Sequence, residues 1–186
     1  MQAIPLIALI VIFITSLWRG HAVSRSGGDN AWAFGAARGR QRLAGTAFAI
    51  SIMVLAIASV LVAMQPMIGY AWVSTMPAVI GATVVIVAQI QMGSAWRVGV
   101  REGDAPLFIR HGLFGFSRNP IFVGMIVVGF SIAVSADSWW AWIALLTFII
   151  ACREQVRIEE AHLLDSFGDV YSSFCSNIPR WIGAPK

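Results

Sequence analysis

Five apolar runs, at residues 2–18, 43–64, 76–92, 120–136 and 139–152, constrain this chain more than any other feature of its sequence. About 20 residues of α-helix cross a hydrocarbon layer of roughly 30 Å. The first three runs are long enough; the last two are short, which implies tilt, local thinning or a site at membrane depth. With 58% of its 186 residues hydrophobic and 12% charged, the chain is more apolar than a soluble domain. The expected class is an all-α integral membrane protein with five transmembrane helices, probed next by its charges. The first run has no basic residue ahead of it and no small-x-small site behind it, so it reads as a helix rather than a cleaved leader.

Basic residues sort sharply. Arg19, Arg25, Arg38, Arg40 and Arg42 lie between runs one and two; Arg97, Arg101, Arg110 and Arg118 lie between runs three and four; Arg153, Arg157, Arg180 and Lys186 follow run five. These are all 13 basic residues. The positive-inside rule then puts the N-terminus outside and the C-terminus in the cytosol, in a cell (inner) membrane. Trp72, in the second connection, and Trp139, Trp140 and Trp142, at the start of helix five, suit the outer interface, and Asp137 and Ser138 are expected to cap that helix. The net charge of +4 reads as topology and attraction to membrane lipids. No nucleic-acid partner is expected, since no polar domain exists to present a groove.

Two portions follow: residues 1–92, with three helices, and residues 93–186, where the polar residues concentrate. The inner loop from residue 93 to 119 mixes Gly, Pro and Asp with aromatic residues, and its irregular backbone needs cover by protein, water or ligand. Pro120 suits the first turn of a helix, with Asn119 or Ser117 as cap. That helix start, beside Arg118, favours an anionic group. Beyond residue 152 the fifth helix becomes charged, with Arg153, Arg157, Glu160 and Leu164 on one face and Glu159 beside Leu163 on another. Cys152 and Cys175 are expected to be free thiols. His21, His111 and His162 fall outside the apolar runs and do not form a haem pair, and there is no metal cluster to expect from the cysteines.

Two stretches, "RNPIFVG" and "RIEEAHLLDSFGDVY", together resemble the isoprenylcysteine carboxyl methyltransferase family of integral-membrane methyltransferases, which is related to the phospholipid N-methyltransferases. The matching positions are Gly112, Phe114, Arg118, Asn119, Pro120, Phe122 and Gly124, then Glu159, Glu160, Leu163, Phe167, Gly168 and Tyr171, and the ending "IPRWIG" resembles the family's tail. Asn119 stands where many members carry His, and Phe122 where they carry Tyr. The resemblance covers about residues 93–183 and implies S-adenosylmethionine bound in the cytosolic leaflet. It places Glu159 on the cationic or ribose part of that cofactor and Glu160 as its neighbour or as the partner of an arginine. Phe108, Ile109, Arg110, His111, Phe114, Arg118, Asn119, Pro120 and Phe122 would line the rest.

Arg153 and Arg157 are the candidate catalytic side chains, placed to hold an anionic acceptor near the methyl group. The expected activity is methyl transfer to a lipophilic or small-molecule acceptor: a carboxylate, thiol or amine. Two other classes compete. A transporter subunit or scaffold would be expected to show internal repeats, and none is visible. An NADPH-binding reductase relative would be longer.

Overall fold

The structure is a computed structural model that describes residues 2–25, 39–65, 71–96 and 109–185. Six α-helices occupy these residues: α1 (Ile4–Arg25), α2 (Gly39–Ala63), α3 (Ala71–Met92), α4 (Pro120–Ala136), α5 (Trp139–Phe167) and α6 (Asp169–Asn177). Short 3₁₀ turns follow α3 at Gly93–Ala95 and precede α4 at Gly112–Gly115. No strand occurs among the described residues.

Helices α1, α2 and α3 are long and apolar enough to cross a membrane, and α4 is a shorter apolar helix of 17 residues. Large apolar side chains such as Phe13, Ile57, Ile80, Ile143 and Leu146 are exposed along the outside of the bundle. In water such a surface would drive aggregation; against acyl chains it costs nothing. The chain is therefore a membrane protein.

Between helices, small residues allow close approach. Gly81 of α3 and Gly124 of α4 face each other so tightly that a Cβ on either would lie 2.6 Å from the other's carbonyl oxygen. Without a hydrophobic drive in lipid, dispersion and short interhelical bonds hold such a crossing. Ser131 Oγ donates to Ser74 O at 2.6 Å along the same pair, and α3 with α4 is the most extensive packing in the molecule. The core adds Leu55, Val85, Val128, Ile132 and Phe148, drawn from α2 to α5. Gln89, buried in α3, donates to Ser16 Oγ of α1 at 2.8 Å.

Helix boundaries differ from those of the apolar runs because charged residues continue the helices past the hydrocarbon. Arg19, His21 and Arg25 belong to α1, Arg40 and Arg42 to the first turn of α2, and Trp72 to α3, rather than to connections. Arg38, Arg97 and Arg101 lie outside the described residues. The polar ends meet: Arg19 Nη2 donates to Gly93 O at the end of α3, and Arg40 bonds Glu154 of α5 through Nε at 3.0 Å and Nη2 at 2.6 Å. Basic residues of several helices thus gather at one end of the bundle.

The capping expectations are corrected. Ser138 takes the N-cap position of α5 but makes no side-chain cap bond; its Oγ donates instead to Ala136 O at 2.6 Å. Asp137 ends α4 in the left-handed region, φ 42°, closing the hairpin between α4 and α5. Helix α5 has 29 residues, a rise of about 44 Å, so its second half extends beyond the apolar segment.

Candidate active site

The approach to α4 is a short, heavily tied stretch. Gly112 has φ +63°, and a Cβ there would run into the Gln91 side chain at 2.3 Å. Glycine lets the chain turn against α3, where Gln91 Oε1 accepts the Leu113 N–H at 2.8 Å. Phe116 and Ser117 N–H groups return to Leu113 O, both at 3.1 Å. Ser117 Oγ then accepts the Asn119 N–H at 3.0 Å, and Pro120 opens the helix. Asn119 stands at the N-cap without a side-chain cap bond. Neither it nor Ser117 caps α4 as expected from sequence, because the Asn119 amide is drawn elsewhere: its Nδ2 donates to Arg180 O at 3.1 Å.

That contact belongs to a set that folds the C-terminal segment over the start of α4. Arg118 N–H donates to Pro179 O at 3.0 Å, and Gly183 N–H donates to Phe116 O at 3.1 Å. Arg180 also reaches α5, where its Nε and Nη2 both donate to Glu160 Oε2, at 3.0 and 2.6 Å. Arg118 Nη2 stands 3.5 Å from the other carboxylate oxygen, an electrostatic contact without good hydrogen-bond geometry. The Nη1 of Arg118 donates to Cys175 Sγ of α6. Hydrogen bonding to Glu160 raises the Arg180 pKa further, so its charge is fixed at any working pH.

Beneath this cluster Tyr171, Phe174 and Ile178 pack together with Leu163, Phe167 and Cys175, which fastens α6 to the end of α5. Burial, with the negative charge of Glu160 adding to it, holds the Tyr171 phenol above the usual range. Tyr171 and Phe167 are packing residues, and Cys152 and Cys175 are free thiols.

Among the residues singled out from sequence, Arg118, Asn119, Pro120 and Glu160 come together here. Phe114 is buried in the 3₁₀ turn, Ile109 is half-buried, and Arg110 and His111 are exposed at the approach. Phe122 sits in the first turn of α4 with its ring edge-on to Phe48 of α2 at 6.2 Å. Glu159 is half-buried next to Glu160. Phe108 lies outside the described residues.

The single face expected for Arg153, Arg157, Glu160 and Leu164 is split. Arg153, Arg157 and Leu164 are exposed, whereas Glu160 is buried. Helical spacing alone makes them neighbours; the arginines of two other segments cover only Glu160. Arg157 Nη1 pairs with Glu154 Oε1 at 2.9 Å, joining the contact that Arg40 makes from α2. Sequence reasoning missed Arg180 as a site residue; the signal was the "IPRWIG" tail, which carried a resemblance but no role.

Chemically, Arg118, Arg180 and Glu160 sum to one positive charge at a helix N-terminus, where backbone donors also favour an anionic group. A model of the phospholipid methyltransferase family matches residues 70–170, which hold α3, α4, α5 and the approach between them. No curated protein sequence matches the chain. The match spans more than half of the residues, and the chain belongs to the phospholipid methyltransferase family, a family of membrane methyltransferases.

Proposed function

We propose that this protein is a multi-pass membrane enzyme that transfers the methyl group of S-adenosylmethionine to a lipophilic or small acceptor at the cytosolic leaflet. The observation that carries the reading is the convergence of the α4 N-terminus, the α5 extension and the C-terminal segment on Arg118, Asn119 and Glu160 in a chain of this family. Five crossings, with α4 and the first half of α5 as the last two, put this convergence on the arginine-rich side. That side is cytosolic under the positive-inside rule.

The residues present fit the cofactor's charges. A carboxylate is suited to the surplus positive charge at the start of α4, and a cationic amine or sulfonium to Glu159. Phe114, Pro120 and Ile109 offer apolar walls for the adenine, with Arg110, His111 and Phe122 at the margins. Glu160, held by two arginines, serves the frame of the site rather than the ligand. When bound, the cofactor supplies a methyl group made electrophilic by its sulfonium. The chain's task is to hold donor and acceptor in line and keep water away, which is where most of the acceleration in such a displacement arises. Arg153 remains the candidate for holding an anionic acceptor; Arg157 would have to leave Glu154 to do so.

Membranes containing the protein, incubated with methyl-labelled S-adenosylmethionine and extracted into organic and aqueous phases, test the proposal. Label appearing in an organic-phase acceptor is expected. Its absence from both phases, with small thiols, amines and carboxylates added, contradicts the proposal.

A further inference from the structure

We propose that Arg180 is a positioning residue that latches the C-terminal segment across the start of α4 and, by engaging Glu160, leaves Glu159 as the carboxylate for the cofactor's cationic part. The second half of this statement rests on the methyltransferase reading; the latch does not.

Arg180 is the point where three separate segments meet. Its guanidinium bonds Glu160 on α5, and its carbonyl accepts from Asn119 at the head of α4. Main-chain bonds flank it on both sides, from Arg118 to Pro179 and from Gly183 to Phe116. Past Ile178 the chain has no helix of its own, so its backbone groups need these partners to leave water.

The two adjacent glutamates are held by different forces. Buried positions on α5 run through Phe148, Cys152, Gln155 and Val156, and the 3.6-residue period carries this stripe on to Glu159. Glu160 lies at the stripe's margin, beside the exposed Arg153 and Arg157. Its burial is the work of Arg180 and Arg118 rather than of the helix. With both arginines turned to it, Glu160 is not available to a cationic ligand.

Hydrogen exchange of the full-length protein in detergent, read in the peptides covering residues 113–119 and 178–185, reports the latch at the Arg118 and Gly183 amides. In Arg180→Ala, exchange in both peptides should rise at least about tenfold, while α3 and α4 keep their protection. Arg180→Lys should recover part of it. Affinity for S-adenosylmethionine should fall in Arg180→Ala, recover in part in Arg180→Lys, and fall no further when Glu160→Gln is added to Arg180→Ala, since coupled residues are non-additive.

Unchanged exchange in Arg180→Ala overturns the latch. Raised exchange with unchanged cofactor affinity overturns the positioning role. If Arg180→Ala does not fold, Arg180→Lys and Glu160→Gln decide the latch by the same two peptides: raised exchange supports it and wild-type exchange overturns it. If the wild-type protein binds no S-adenosylmethionine, the methyltransferase reading fails and takes the Glu159 assignment with it, whereas the exchange data still decide the latch.

Discussion

Arg180 and Glu160, 20 residues apart, are joined by two hydrogen bonds to a single carboxylate oxygen, at 3.0 and 2.6 Å. The glutamate side chain is 11% exposed and the arginine 37%. A charge taken that far out of water is tolerated only when paired and hydrogen-bonded, and here the pair ties the chain's last ordered segment to α5. The other carboxylate oxygen meets Arg118 from the head of α4.

Removing the charge of Glu160 should therefore weaken the fold. Glu160→Gln is expected to cost about 1.5–3 kcal/mol, toward the lower value because Arg180 is partly hydrated. Thermal unfolding in detergent measures this, and an unchanged midpoint contradicts the importance assigned to the cluster.

Gly124→Ala tests the crossing that aims α4. The added methyl would sit 2.6 Å from Gly81 O and 2.7 Å from a Val85 methyl group, so the helices must separate, at a cost of about 1–3 kcal/mol. The unfolding midpoint should drop. A stable Gly124→Ala variant would mean that the two helices are not so closely apposed.

Glu154 links α5 to α2 through Arg40, whose hydrogen bond, with the charges of Arg40 and Arg157, holds its carboxyl below the ordinary carboxylate value. A depressed folded-state pKa gives stability that is complete above the unfolded value and lost as pH falls through the folded one. The difference in unfolding midpoint between wild type and Glu154→Gln should be small, be reduced by salt, and vanish in acid below the ordinary carboxylate range. A difference that persists there contradicts the ionic link.

Tyr171 should resist ionisation. Its folded-state pKa lies above the phenol's ordinary value, first through burial and then through Glu160, so the folded chain holds more protons than the unfolded one above about pH 10. Stability then falls as pH rises past that value. In a Tyr70→Phe background, phenolate absorbance should appear only as the protein unfolds; free titration near pH 10 contradicts the burial.

The fold was legible where one physical cause acts along the chain. Apolar runs mark the helices because lipid leaves the backbone no other way to satisfy its hydrogen bonds, and the hairpin at Asp137 and Ser138 was placed correctly although its capping bonds were not. Pro120 located the start of α4 through its fixed φ, and Glu160 was paired in expectation with an arginine. The identity of that arginine was not legible. Arg180 is brought to Glu160 by main-chain bonds such as Arg118 N–H to Pro179 O, and any non-proline residue supplies such a donor, so nothing in the side-chain pattern announces the fold-back. Helical spacing misled at Arg153 and Arg157, since it reports neighbours on one helix and not what another segment covers.

Calorimetry of the purified protein with S-adenosylmethionine, repeated on Glu159→Ala, tests the central claim most directly. Saturable binding to the wild type, weakened by at least about tenfold in the variant, or 1.4 kcal/mol, is the predicted result. Equal dissociation constants for the two proteins, or no binding to the wild type, would contradict it.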